Sequence, residues 1–334
     1  INVMKNVSKL ALFVAAGMVS AGANAASFEV DESTTLTLGG KVAVIATDIE
    51  DGNGNSATNV TDDGSEVVIG AERDLGNGIT AYVETVLSYN TIGNDDSDSA
   101  DDDAVAEDQS VFGFVGDFGE FQFGESDNIF EDVITDATAP GEVVDPPTAS
   151  DSDEDQMITY YSNDFNGFSF SLQTRVADET NDSNDSSSTE LSLIAAAEYE
   201  VNNITFGAAY DNRGSKDADS GAGFTSQDPL YGVSVVVALS DALEIAAKYA
   251  SQSEQDGNDK EFTAIAAEYD YGAGSIYGAL GSESIDGGSD RTEMGVGINF
   301  ELADDVVIYA EYADEDQTGS EDDKIMQVGF ELEY

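Results

Sequence analysis

The chemistry open to this chain follows from what it holds and what it lacks: 69 Asp and Glu residues, but no His and no Cys, in 334 residues. Without imidazole or thiolate there is no Ser-His-Asp or Cys-His nucleophile, and no ring-nitrogen or sulfur metal site. Paired carboxylates alone hydrolyse glycosides, yet acids this plentiful meet the required spacing by chance. The run from Asp48 through Glu50 and Asp51 to Asn55 approaches the spacing of a calcium loop, but the closing Glu and flanking helices are missing. It reads as a solvated acidic loop. Gly76-Asn77-Gly78 lacks the rest of a phosphate fingerprint and reads as turn chemistry. The sequence therefore predicts no enzyme, no resident metal and no cofactor, with only loose divalent binding by acidic loops such as Asp98 to Asp103. The stretch from Ser126 to Glu154 holds Asp127, Glu131, Asp132, Asp136, Glu142, Asp145, Asp151, Asp153 and Glu154 and no Lys or Arg.

The elements that would position these acids begin after a leader. Lys5 and Lys9 precede an apolar stretch from Leu10 to Val19, and Ala23-Asn24-Ala25 is a small-x-small cleavage site. An apolar run of roughly 10 residues is half the roughly 20 that a membrane helix needs. Residues 1–25 are thus expected to be a signal peptide cleaved after Ala25, with 26–334 as one domain. That cleavage leaves nine basic residues against 69 acids, a net charge of −60. Nucleic acid is excluded as a partner, because phosphate binding needs a basic patch.

The charge is segregated. Acids crowd into stretches rich in Ser, Gly and Asn, while the segments between them alternate. Leu243, Ile245, Ala247 and Tyr249 alternate with Glu244, Ala246 and Lys248. Val328, Phe330, Leu332 and Tyr334 alternate with Gln327, Gly329, Glu331 and Glu333. A period of two means strands with one apolar and one polar face. Short connections fall near 75–78, 118–119, 165–167, 202–203, 240–241, 271–273 and 303–304. Longer acidic ones fall near 49–64, 91–107, 126–154, 179–188, 212–228, 252–259, 283–290 and 314–322. Strict alternation of short and long connections predicts an all-β fold: a transmembrane, antiparallel up-and-down β-barrel of about 16 strands with short periplasmic turns and long acidic outer loops.

Particular stretches carry a family resemblance. Asp74-Leu75-Gly76-Asn77-Gly78, the run from Val115 to Gly124, Ile158-Thr159-Tyr160-Tyr161-Ser162 and Phe165-Asn166-Gly167-Phe168, in this order, resemble a Gram-negative general porin of the trimeric, 16-stranded kind. The resemblance implies a water-filled channel through the outer membrane, a homotrimer, and a constriction loop, here 126–154, folded into the pore. It also implies an aromatic C-terminal signal read by the barrel-assembly machinery, here Phe330, Leu332 and Tyr334, although Tyr stands where the family usually ends in Phe. Where related porins often carry a basic strip, this chain has Glu66, Glu125 and the neutral Thr159; Lys41 and Arg175 remain on polar faces.

A constriction lined by Glu66, Glu125, Asp127, Glu131, Asp132, Asp136, Glu142 and Asp145 is expected to favour cations. Crowded carboxylates also hold protons more tightly, so this preference is expected to weaken as pH falls. Acid enrichment in every loop equally suits a saline habitat, and the two explanations are compatible. The other functional readings are a substrate-specific channel for sugars or peptides, in which Tyr82, Tyr160 and Tyr309 would line the pore, and a non-transporting adhesin or structural barrel. The expected setting is the Gram-negative outer membrane, reached through the general secretion route. The expected partners there are outer-membrane lipid, lipopolysaccharide, small hydrophilic solutes and cations.

Overall fold

The computed structural model describes residues 25–50, 54–92, 105–147, 154–175, 193–212, 229–253, 259–303, 305–317 and 323–334. The expected leader up to Asn24, the run Asp98 to Asp103, and Asp151 and Asp153 lie outside these residues.

Alternating apolar and polar side chains commit the chain to strands. They are β1 (Ala26–Asp31), β2 (Thr34–Glu50), β3 (Ser56–Asp62), β4 (Glu66–Gly76), β5 (Ile79–Tyr89), β6 (Val105–Gly116), β7 (Gly119–Ser126), β8 (Glu154–Tyr161) and β9 (Phe168–Arg175). The second half holds β10 (Ile194–Val201), β11 (Ile204–Asp211), β12 (Leu230–Ser240), β13 (Leu243–Gln252), β14 (Lys260–Asp270), β15 (Ser275–Ile285), β16 (Arg291–Ala303), β17 (Val306–Gln317) and β18 (Asp323–Glu333). From β4 to β18 each strand pairs antiparallel with the next in sequence, and β18 returns to β2 with Glu333 opposite Lys41 and Lys324 opposite Glu50.

Two wall strands are composite. β4 lies against Thr34–Lys41 and β3 against Val44–Glu50, so both occupy one edge of β2 in succession. On the other edge, β18 ends where Tyr334 exchanges backbone hydrogen bonds of 2.9 and 3.0 Å with Gly40, and β1 resumes with Ala26 opposite Leu38. The 18 segments therefore build a closed wall of 16 strands. Closure leaves no row of unpaired amides and carbonyls facing lipid.

All seven expected short turns lie between paired strands, after β4, β6, β8, β10, β12, β14 and β16. The first shows why: Asn77 and Gly78 have φ of 58° and 75°, the pair of positive values that a two-residue hairpin turn requires. The strand ends that the longer connections join lie at the opposite rim.

Alternation sorts the side chains. Thr263, Ile265 and Ala267 of β14 face outward while Phe262, Ala264 and Ala266 are buried on the inner face. One expectation needs correcting here. From β10 to β15 much of the inner face is small and apolar, carrying Ala196, Ala209, Ala250, Ala264, Ala266 and Ala279 beside polar residues such as Ser234 and Lys248, because a segment of the protein covers it in place of water. Among the described residues no helix is long and apolar enough to cross a membrane.

Ile265 sits mid-strand on the outward face, 52 % exposed. Ile265→Arg is expected to destabilise the barrel by about 2–4 kcal/mol in bilayers, and Ala266→Ser on the inner face by much less, measured by denaturant unfolding in lipid vesicles.

Candidate functional site

β7 leaves the wall early. Its pairing with β8 shifts register between Gly124 and Ser126, and the chain then runs into the barrel interior as a π-helical turn, Glu131–Thr135, and a 3-10 turn, Asp136–Thr138. Ile129, Phe130, Val133 and Ile134 are buried against inner-face residues of β10 to β14, among them Ala196, Ala209, Leu230, Ala250 and Phe262. Val144 joins a second cluster with Ala266, Tyr277 and Ala279.

Polar ties fix this segment around the wall. On β9, Gln173 donates to the Asp127 carbonyl (2.8 Å) and to the Ser126 and Thr159 hydroxyls (3.2 and 3.1 Å). On β12, Ser234 donates to the Val133 carbonyl (2.6 Å), and on β13 the Lys248 ammonium donates to the Pro146 carbonyl (3.4 Å). On β17, Glu311 accepts the backbone N–H groups of Glu142 (3.3 Å) and Val143 (2.8 Å) and the Tyr277 hydroxyl. A carboxylate receiving several donors is among the stronger non-covalent anchors. The segment is thus a belt held at intervals from β9 to β17.

The expected site residues divide into groups. Glu142, Glu66 and Lys41 come together: the Glu142 charge interacts with Asp63, Glu311, Lys41 and Glu331, and that of Glu66 with Lys41, Asp108, Glu331 and Glu84. Asp145, Asp136 and Glu131 surround Lys248. Asp127 and Asp132 lie near the buried Tyr161. Glu125, half-buried, occupies the register shift at the end of β7. Thr159 does face inward, but it is fully buried beneath the belt, bonded to Gln173, and does not meet channel water. Arg175 pairs through its backbone with Met157, and its side chain lies outside the described residues. Phe330 and Tyr334 are exposed on the outer face, with Leu332 between them half-buried.

The three tyrosines of the sugar-channel reading are not presented to a solute. Tyr160 faces outward and donates to the Phe118 carbonyl (2.8 Å). Tyr82 and Tyr309 face inward, but each lies over a glycine of the next strand, Gly113 and Gly329, and gives its hydroxyl to Glu120 and Asp63.

Sequence reasoning missed Glu311, Lys248 and Arg291 as site residues. Arg291 binds Glu315 at 2.8 Å and Glu293 at 3.1 Å on the inner face. Among the described residues no three Asp or Glu side chains gather to hold a metal ion.

This geometry, a closed wall with a belt laid inside, meets an independent finding: the sequence signature described as Gram-negative porin matches residues 11–320. The chain belongs to the Gram-negative porin family. It is therefore an outer-membrane channel protein and not an enzyme. This porin is 28 % identical over 299 residues to a protein of Halomonas sp. named monosaccharide porin, and equally to the major outer membrane protein of Halomonas elongata, covering 84 % of this chain and 80 % of each relative. Its fold matches an anion-selective porin from Comamonas acidovorans with a TM-score of 0.71 at 15 % identity, over 90 % of this chain and all of that one. A loop-deletion variant of OmpT from Vibrio cholerae gives 0.69 at 13 % identity, over 91 % of this chain and 100 % of that one. Identities this low show a shared fold, and the selectivity named for the Comamonas protein remains a property of that protein.

In this porin the carboxylates of Glu142 and Asp145 are open to the interior on one side and enclosed by belt and wall on the others. That enclosure is the main cause holding both above the usual carboxylate range. For Glu142 the charges of Asp63 and Glu311 add to the shift and Lys41 opposes it; for Asp145 Lys248 opposes it. A raised carboxylate takes up its proton at a higher pH than an ordinary one, so negative charge is lost from these positions first as pH falls. Whatever cation preference these carboxylates confer is expected to decline already in mildly acidic solution, above the ordinary Glu value of about 4.3. Reversal potentials across a salt gradient, taken from neutral to acidic pH, check this.

Glu311→Ala strands two belt amides, a cost of about 1–3 kcal/mol for each left without water or another acceptor. The expected outcome is a folded barrel with noisier open-channel current, read in single-channel records.

Proposed function

We propose that this porin forms a water-filled, cation-preferring diffusion channel for small hydrophilic solutes, with residues 126–154 as its constriction. One observation carries the charge preference. Glu142 on the belt lies within electrostatic reach of Asp63, Glu311 and Glu331 with Lys41 among them, and Glu66 shares Lys41 and Glu331, while the charges of Lys248 and Arg291 are met by belt and wall carboxylates. Carboxylates facing each other across a low-dielectric wall focus a negative potential and raise local cation concentration. Glu66, Glu142 and Asp145 would carry the field most directly, with Asp127, Glu131, Asp132, Asp136 and Glu125 setting it further along the belt.

The relative named monosaccharide porin supports solutes of sugar size. It also keeps a sugar-specific channel as the second reading, against which stand the buried and outward tyrosines. The small outward residues Ala195 and Ala197 suit close packing in a homotrimer. Export after removal of residues 1–25, assembly through Phe330, Leu332 and Tyr334, and contact with lipopolysaccharide complete the proposal.

Planar-bilayer recording of the refolded protein under a salt gradient tests it. The expected result is a cation-directed reversal potential that shrinks in a Glu142→Gln/Asp145→Asn variant, without block by micromolar sugar. An anion-directed or zero potential sinks the selectivity reading, and micromolar sugar block moves the weight to the specific channel.

A further inference from the structure

Along the line where the belt meets the far wall, the wall residue is repeatedly glycine. A β-carbon at Gly207 on β11 would lie 2.2 Å from the Ser234 hydroxyl, which itself binds the belt at the Val133 carbonyl, and 2.7 Å from the Val133 side chain, and one at Gly232 on β12 would lie 2.7 to 2.8 Å from Phe130 and Ile134. One at Gly281 on β15 would lie 2.4 Å from the Pro146 ring, and one at Gly295 on β16 would lie 3.0 Å from Val144, Cα included. None of the four has a positive φ, so the backbone conformation there does not call for glycine. Glycine inside a strand weakens it, and its usual warrant is the close approach of another group. Here the group is the belt on β12, β15 and β16, and on β11 the belt together with the Ser234 hydroxyl that binds it.

We propose that Gly207, Gly232, Gly281 and Gly295 are the size-determining positions of the channel: sockets whose depth decides how far the belt stands off the far wall, and hence how wide the remaining passage is. This inference rests on the channel reading above. The sockets differ in stiffness. Phe130 meets Gly232 with the end of its ring and Ile134 with its Cγ atoms, all side chain, whereas Pro146 and the Val144 backbone meet Gly281 and Gly295 with atoms that move only if the belt moves. A methyl at 281 or 295 therefore displaces the belt toward the passage, while at 232 the effect grows with side-chain size.

The test compares single-channel conductance and the cut-off for neutral polyethylene glycols among Gly281→Ala, Gly295→Ala and a Gly232→Ala, Val, Leu series, with heat-shifted gel mobility confirming closed barrels. Gly70→Ala serves as control: it faces inward on β4, where a β-carbon makes only ordinary contact with Thr37 at 3.5 Å. The expected result is a loss of conductance and a smaller cut-off at 281 and 295, a loss graded by size at 232, and no change at 70. Pairing Gly232→Ala with Phe130→Leu and Ile134→Ala, which remove the Phe130 Cζ and the Ile134 Cγ atoms that the new methyl would meet, should restore conductance, which a merely structural role would not predict. Should leucine at 232 prevent folding, the alanine variants and the paired exchange still decide. Folded, conducting variants with wild-type conductance and cut-off overturn the socket proposal while leaving the channel reading intact. A folded wild-type barrel without conductance overturns both.

Discussion

Hydrocarbon offers no hydrogen bonds, so every amide and carbonyl in the spanning wall must find its partner in the protein. The rest of this molecule depends on that constraint. A sheet with free edges cannot meet it, and a ring can. Here the ring is shut where β18 docks on β2 and where Tyr334 and Gly40 exchange backbone bonds, with β1 continuing the same strand. Because that strand is assembled from both ends of the chain, the wall is complete only with both in place. The same constraint disposes of the charge. An outward band in contact with lipid tolerates few ionised groups, so 69 acids have only the loops and the lumen to occupy.

Inside the ring, the lumen is divided between protein and water. The belt fills the half lined by β10 to β16 and seals its apolar side chains against alanines, glycines, Leu230 and Phe262. In the proposed channel, the passage left beside the belt runs past Glu142 and the wall bearing Lys41, Glu66 and Glu331, whose charges interact. Charged groups thereby do two separate jobs. Glu311, Lys248 and Arg291 spend their hydrogen bonds on holding belt and wall, whereas Glu142 and Asp145 keep one side toward the interior. Lumen tyrosines belong with the first set, since Tyr82, Tyr277 and Tyr309 each give a hydroxyl to a wall or elbow carboxylate and lie over a glycine of the neighbouring strand.

The legible parts of the fold were those written in local patterns. Asn77-Gly78, Asn166-Gly167 and Asn202 mark turns because they accept positive φ, and the alternation on β14 or β18 marks a wall because lipid and lumen ask for different side chains. The site was less legible. Thr159 satisfied every local rule for a lumen residue and is nevertheless covered, because a belt distant in sequence lies on it. Of the tyrosines left open to the sugar-channel reading, Tyr160 faces outward, while Tyr309 is held by Asp63, 246 positions away. A signal for the belt's seat did exist, in the small inner-face residues of β10 to β16, yet those residues acquire meaning only once something is known to touch them.

By itself the sequence determined the class of object: a strand-built wall with turns on one rim, acidic loops on the other, and chemistry limited to carboxylates. Period-two alternation and turn residues act over a few positions, so they survive being read one segment at a time. The tertiary structure alone decided which carboxylates meet the interior and which serve as anchors. Contacts such as Glu311 with the amides of Glu142 and Val143 join positions 168 and 169 residues apart. No local pattern encodes that distance; it exists only because the ring closes and brings the belt across to the opposite wall.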